Sequence, residues 1–366
     1  MDLLNTTPVI SNSTKKWLIA LIGFGFIAIA SGMLVTPERV WSNILLNGIF
    51  LTGLGICGIM FVAIHYVSNS GWDVVIRRVP EAMFKILPFA FIAMISIIFG
   101  MGYLYEWSHP EVMQSDMLLK GKEIWLNPTG FMVRMMIYFL FWYLVGKRIL
   151  HHSGKQDKTG NIRHSDIARR WSAFWLYIGG IFFIGSSFDW IMSLEPHWYS
   201  TIFGLYNFSG MFTSGIAMMI ILLVILKKKG IFGNVLKKDH LYELGRYLFS
   251  FTTFWVYIWF CQHMLIWYAN IPEETVYYLK RHIGVFGSLT ILNVCLNWLF
   301  PFVILLFRKT KRENKYLVIA SLSVLAGRWT DLYLMIFPPN IETPVFGILE
   351  LGSFLAAISI FIWIFF

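Results

Sequence analysis

Charge is the scarcest property of this sequence. Only 14% of its 366 residues are Asp, Glu, Lys or Arg, while 57% are apolar and 18% aromatic. Soluble domains carry about 25% charged residues to cover their surface, so a soluble globular protein is excluded. Cysteine is nearly absent. Cys57, Cys261 and Cys295 each fall inside an apolar run, and none forms a C-x-x-C, a C-x-x-C-H or a cluster. The chain therefore offers no ligand set for an iron–sulfur cluster and no covalent haem site. Histidine is scarce at membrane depth: only His65 and His263 fall there, near opposite faces, which excludes a facing pair for b-type haem. No loop is large enough to fold as a further domain, and no pair of Gly/Pro interruptions marks the mid-membrane breaks on which transporter sites are built.

What is present comes in apolar blocks. A bilayer core needs roughly 20 apolar helical residues to span it. That length recurs near 17–35, 44–67, 86–105, 131–150, 171–193, 202–226, 247–269, 283–307, 316–337 and 346–366. The expectation is one all-α integral membrane domain over 1–366 with ten transmembrane helices. The first run, at about 19 residues, is longer than a signal-peptide core and is read as an uncleaved helix.

Orientation follows from Lys and Arg rather than from acidic residues. With the N-terminus inside, the inner segments hold 23 of the 30 basic residues, among them Arg77, Arg78, those of 147–170, Lys227, Lys228, Lys229 and those of 308–315. Arg39, Lys120, Lys122, Lys280 and Arg281 are outside, while Arg134 and Arg328 fall within helices. Both ends are then cytoplasmic. The net charge of +10 is a topology signal with nothing beside it to suggest nucleic acid. Residues 71–85 read as a short helix on the inner surface, with Arg77 and Arg78 available to lipid phosphates.

An internal repeat is visible. Gly48-Ile-Phe-Leu-Thr-Gly53 matches Gly210-Met-Phe-Thr-Ser-Gly215, and Ser187-Phe-Asp189-Trp matches Trp329-Thr-Asp331-Leu. Helices 2–5 (44–193) and 6–9 (202–337) would be two parallel four-helix bundles. Helix 1, with the N-terminal tail (1–43), and helix 10 (346–366) would flank them. The glycines also fit simple close packing of helices.

Ionisable groups inside a membrane are costly and are functional candidates by default. Asp189, His263 and Asp331 lie about 22–27 Å along outward-running helices at 1.5 Å per residue. Arg134 and Glu350 lie near the starts of inward-running ones, and Glu106, Glu195 and His197 flank the outer interface. Such a cluster suits a base for the hydroxyl protons of a quinol, or the exit of a proton path. Plainer roles fit the same residues. Arg328 and Asp331, three apart, can neutralise each other. His263 can bond a neighbouring helix, Asp189 can anchor a turn, and Asn293 with Asn297 can join helices.

Four runs together point to a family: Asp189-Trp-Ile-Met-Ser-Leu-Glu-Pro-His-Trp-Tyr-Ser-Thr-Ile-Phe-Gly204, the aromatic-rich run 254–274, Gly71-Trp-Asp-Val-Val-Ile-Arg-Arg-Val-Pro-Glu81, and Leu126-Asn-Pro followed by Arg134. They resemble the NrfD-like (polysulfide-reductase-type) membrane subunits of bacterial alternative complex III, a quinol:cytochrome c oxidoreductase. The chain's length and its end on helix 10 are closer to the shorter of the family's two ten-helix members, the F subunit. The resemblance implies two four-helix bundles in the bacterial inner membrane and no redox cofactor in this chain. It implies partners with haem c and iron–sulfur clusters, a sister ten-helix C subunit, small membrane subunits and contact with a terminal oxidase. It further implies an anchoring role with proton translocation. Direct binding of menaquinol or another quinol, and a stand-alone secondary transporter, remain open as alternatives.

Overall fold

The computed structural model describes residues 10–366, so the first part of the expected N-terminal tail lies outside the described residues. Among those residues every regular element is helical. The long helices are α1 (Asn12–Val35), α2 (Pro37–Val67), α3 (Arg78–Leu104), α4 (Pro128–Thr159), α5 (Ile162–Leu194) and α6 (Phe203–Lys228). They continue with α7 (Lys238–Ala269), α8 (Gly284–Leu305), α9 (Asn314–Ile336) and α10 (Ile348–Phe365). Among the described residues nine are long and apolar enough to cross a membrane. The tenth expected span, α7, is a helix of 32 residues whose apolar positions alternate with Thr252, Thr253, Gln262 and His263.

Several helices outrun the apolar blocks that announced them. The segment expected as a basic loop over 151–170 is almost entirely helix. Only Gly160 and Asn161 break it: Gly160 takes the left-handed conformation (φ 67°) that closes α4, and the Asn161 side chain accepts the Arg163 N–H to open α5. Past the bilayer, water satisfies the charged side chains and the backbone ladder simply continues. At the other side, α2 starts at Pro37, because a proline in the first turn loses no hydrogen bond and its φ is already helical.

α2 and α6 are buried almost along their whole length and form the centre. Their backbones meet at Gly215, where an added Cβ would stand 2.1 Å from the Cys57 sulfur. α3, α4 and α5 pack around α2, α7 and α9 pack against α6, and α8 lies against α7 and α9. α1 pairs with α10 through Gly25, whose Cα faces Gly352 and Ala356, and α10 in turn leans on α2.

The connections gather at two ends. At one, which we term the loop-rich end, Trp107 donates to the Ser193 carbonyl (3.0 Å), Lys122 to that of Pro196 (2.7 Å), and Lys280 pairs with Glu195 (3.2 Å). At the other, the basic end, Arg169 donates to Asn69 (2.9 Å) and Arg312 pairs with Asp239 (2.6 Å). The expected surface helix at 71–85 is a short 3₁₀ turn, Trp72–Val75, followed directly by the start of α3. Its arginines are committed to carboxylates: Arg77 to Asp73 at 2.8 Å, and Arg78 to Glu81 and Asp157.

Two spans are irregular. α3 tightens to a 3₁₀ stretch at Ser96–Gly100, where Gly100 lies flat against the Trp41 ring. α8 widens to a π-turn at Cys295–Leu299, just ahead of Pro301, which has no N–H to give the ladder. These breaks fall in helices 3 and 8, which the repeat does not pair.

The contact between Gly215 and Cys57 yields a test. Gly215→Ala should destabilise the purified protein by about 1–3 kcal/mol, read as a lower melting temperature in detergent. Adding Cys57→Gly should recover most of the loss. A Gly215→Ala variant as stable as the parent would mean α2 and α6 are not in this register.

Candidate functional site

The two aspartates paired by the repeat each anchor a network of donors. Asp189, on α5, is 1% exposed. Its carboxylate accepts Arg134 twice (Nε 2.9 Å, Nη2 3.1 Å), the Tyr138 hydroxyl (3.0 Å) and the Trp125 indole N–H (2.8 Å). Arg134 and Tyr138 lie one turn apart on α4 and therefore face the same way. The guanidinium also stacks over Trp125, 4.2 Å from the ring centre. Ser186 and Ser193, which share a face with Asp189, turn their hydroxyls to backbone carbonyls instead. Beside this carboxylate, at the loop-rich end, opens a mostly apolar cavity of about 510 Å³ bounded by Trp125, Phe188, Met192, Ser193 and Tyr199.

Asp331, on α9, is likewise 1% exposed. It accepts Arg328 at 2.8 Å, Asn293 at 3.0 Å, the Trp255 indole at 3.4 Å, and the Tyr206 hydroxyl. Arg328 and Asp331 do neutralise each other, yet Arg328 reaches further. Its second nitrogen donates to Asn207, whose amide donates to Ser187 at 2.8 Å, two residues before Asp189. A polar chain thus runs from the α6–α9 group into α5. Gly210 makes room for it, since an added Cβ there would lie 2.5 Å from the Arg328 guanidinium. That glycine of the repeat serves the ion pair as well as helix packing. Asn297 extends the chain inside the π-turn by donating to Asn293 at 2.6 Å.

Toward the loop-rich end from Asp331 lies a cavity of about 30 Å³, touching Asn293, Gln262, Tyr278, Thr290 and His282. That volume accommodates a water molecule. The Gln262 carbonyl and His263 Nδ1 are buried without a protein partner. His263 stacks on Trp259, which stacks on Trp255, and its ring lies 4.9 Å from that of His282. In His282, burial first, then the neighbouring His263 and Arg281, lower the pKa below the usual histidine value. These surroundings hold the imidazole in its neutral form.

The remaining candidates belong elsewhere. Glu350 pairs with Arg39 (2.7 Å), also accepts Asn43 and the Gly347 N–H, and joins α10 to α2. His197 is half-exposed and bonds Asp116 at 3.0 Å. Glu106 stands exposed at the start of a 3₁₀ turn, Glu106–Ser108, and joins neither network. Glu195 holds Arg281 at 2.7 Å in an interfacial pair. The single outer cluster expected from depth is thus several separate pairs. Residues not singled out by sequence are Trp125, Tyr138, Tyr206, Asn207 and His282. Tyr138 carried one signal, its spacing of four from Arg134.

Among the described residues no three His, Cys, Asp or Glu side chains come together as metal ligands. No family model matches the chain, and no curated protein matches it either.

Removing one partner of a buried ion pair costs about 3–5 kcal/mol. Asp331→Leu should therefore lower stability by that order, and adding Arg328→Leu should restore most of it. The check is a double-mutant cycle on thermal unfolding in detergent. Additive losses would contradict the coupling.

Proposed function

We propose that this chain is a membrane subunit of a bacterial respiratory quinol:cytochrome c oxidoreductase of the alternative complex III type, similar to the shorter ten-helix member of that family. In this reading it carries no redox centre. It anchors haem c and iron–sulfur subunits, the sister C subunit and small membrane subunits, beside a terminal oxidase, and conducts protons. The basic end faces the cytoplasm with both termini, as the Lys and Arg distribution suggests. Helices α2–α5 and α6–α9 are two parallel repeats.

One observation carries the proton reading. Ion pairs hold two buried carboxylates, and a Ser187–Asn207–Arg328 chain joins their surroundings. A water-sized cavity continues from Asp331 to His282. Proton transfer needs titratable groups within hydrogen-bond reach or one water apart. Asp331, the Tyr206 hydroxyl and the water-sized cavity reaching His282 supply them. Arg328 and Asn207, which release no proton, hold the carboxylate in place. The 189–204 and 254–274 runs, which carry the resemblance, lie around the same two sites, and this supports the family assignment.

A second reading has its own observation. The mostly apolar cavity is lined by Trp125, which donates to Asp189, and its volume lies within the range of about 300–1,000 Å³ typical of ligand sites. Here the chain would bind quinol itself while partner cofactors take the electrons.

Purification from native membranes in mild detergent tests the assignment. Co-purification with haem c and iron–sulfur subunits is expected, and an isolated chain that transports a solute in liposomes would overturn it. In the complex, Asp189→Asn should leave assembly intact and lower turnover or proton output. If quinol binds at Asp189, the same substitution also raises the KM for quinol. Unchanged turnover and pumping would reduce Asp189 to a structural role.

A further inference from the structure

Most of the polar groups around the small cavity beyond Asp331 are already committed. The Arg281 guanidinium donates to the Leu334 and Tyr277 carbonyls, both at 2.8 Å, and to Glu195. The Thr290 hydroxyl donates to the Arg281 carbonyl at 2.8 Å, and the Asn293 amide to Asp331 itself. Burial pushes the Tyr277 hydroxyl up to about 12 and the Tyr278 hydroxyl well above its ordinary value. Neither phenol releases a proton near neutral pH.

Two lining groups stand apart. Gln262 is 2% exposed, and its side-chain carbonyl is buried without a partner. Buried acceptors of this kind are rare, and a polar space of this size is filled by water. A water there donates to Gln262 and borders both Asp331 and His282, which line the same space. His282 is the other. Of the described residues that line the cavity, His282 alone is exposed, so its ring meets the enclosed water on one side and solvent on the other. His263 also has an unpartnered Nδ1, but it does not line the cavity.

The fold fixes this ring in place. The helix Pro272–His282 ends on it, and Gly284 turns the chain into α8 with φ 61°. α8 packs back so closely that an added Cβ on Gly287 would stand 2.5 Å from the His282 carbonyl oxygen. The rings of His263 and Tyr278 lie 4.9 and 5.2 Å away. Histidine is the side chain whose ordinary pKa allows loading and unloading near neutral pH, and it has one nitrogen for each task.

We propose that His282 exchanges protons between Asp331 and the aqueous phase at the loop-rich end, through one water held on the Gln262 carbonyl. This role rests on proton conduction through Asp331. When the Asp331 carboxyl gives up a proton, the water takes it and passes one of its own to the free nitrogen of His282. The imidazolium then releases the proton on its other nitrogen to bulk water, and tautomer exchange through solvent resets the ring. Burial, His263 and Arg281, which lower the His282 pKa, favour release over retention.

Proton flux through vesicles holding the native assembly purified from membranes, driven by a potassium diffusion potential, tests this role. The parent should conduct above protein-free vesicles. His282→Ala should lower the flux by at least about ten-fold, and millimolar imidazole, a diffusible stand-in for the lost ring, should restore most of it. Gln262→Leu should also lower the flux, and imidazole should not restore it, because there the water is missing and not the ring. Parent-like flux in His282→Ala would overturn the role of His282 and leave conduction through Asp331 standing. A loss in His282→Ala that imidazole does not repair would likewise overturn it, since the ring would then be structural. A parent that conducts no better than protein-free vesicles would overturn the proton reading, and this role with it.

Discussion

The carboxylate of Asp331 lies among helices that otherwise offer it lipid-like surroundings, and an unpaired charge there would cost several kcal/mol. Its guanidinium partner sits one turn earlier on the same helix, so the charge is balanced before any neighbour contributes. What the neighbours supply is hydrogen bonding. Tyr206, Asn293 and Trp255 come from three different helices and fix how α6, α7 and α8 sit around α9. Gly210 lets the guanidinium pass between α6 and α9, and Asn207 carries the contact on to α5. One ion pair thus orders a whole half of the molecule.

Asp189 solves the same problem differently. Its arginine comes from the neighbouring helix, one turn before Tyr138, and is stacked on a tryptophan from the preceding loop. The Asp331 site is therefore closed, with only a water-sized cavity, while the Asp189 site borders a roomy apolar one. A closed site suits proton holding and an open one suits a ligand. That contrast is the physical ground for giving the two carboxylate sites different work.

The helices were legible because bilayer-length apolar blocks carry a strong signal, and the basic residues sort the connections. Helix ends were not. The continuation of α4 and α5 through a segment that reads as a charged loop depends on Gly160 and Asn161, and residue type alone marks them weakly. Asp189, Arg134, Asp331 and Arg328 stood out by charge at depth. Their partners did not, because Tyr, Trp and Asn at helix positions look the same whether they pack or donate. Arg39 read as a loop residue, and only the tertiary fold brings it to Glu350, across most of the chain.

Whether the Asp331 network takes part in proton movement decides between a conducting subunit and a purely anchoring one. Infrared difference spectroscopy of the intact complex, recorded as quinol is added, reads carboxyl and carboxylate bands directly. A carboxyl band should appear in the parent, vanish in Asp331→Asn and shift in Asn207→Leu, where the link toward α5 is cut. A difference spectrum identical in parent and both variants would mean that the network holds helices together and moves no proton.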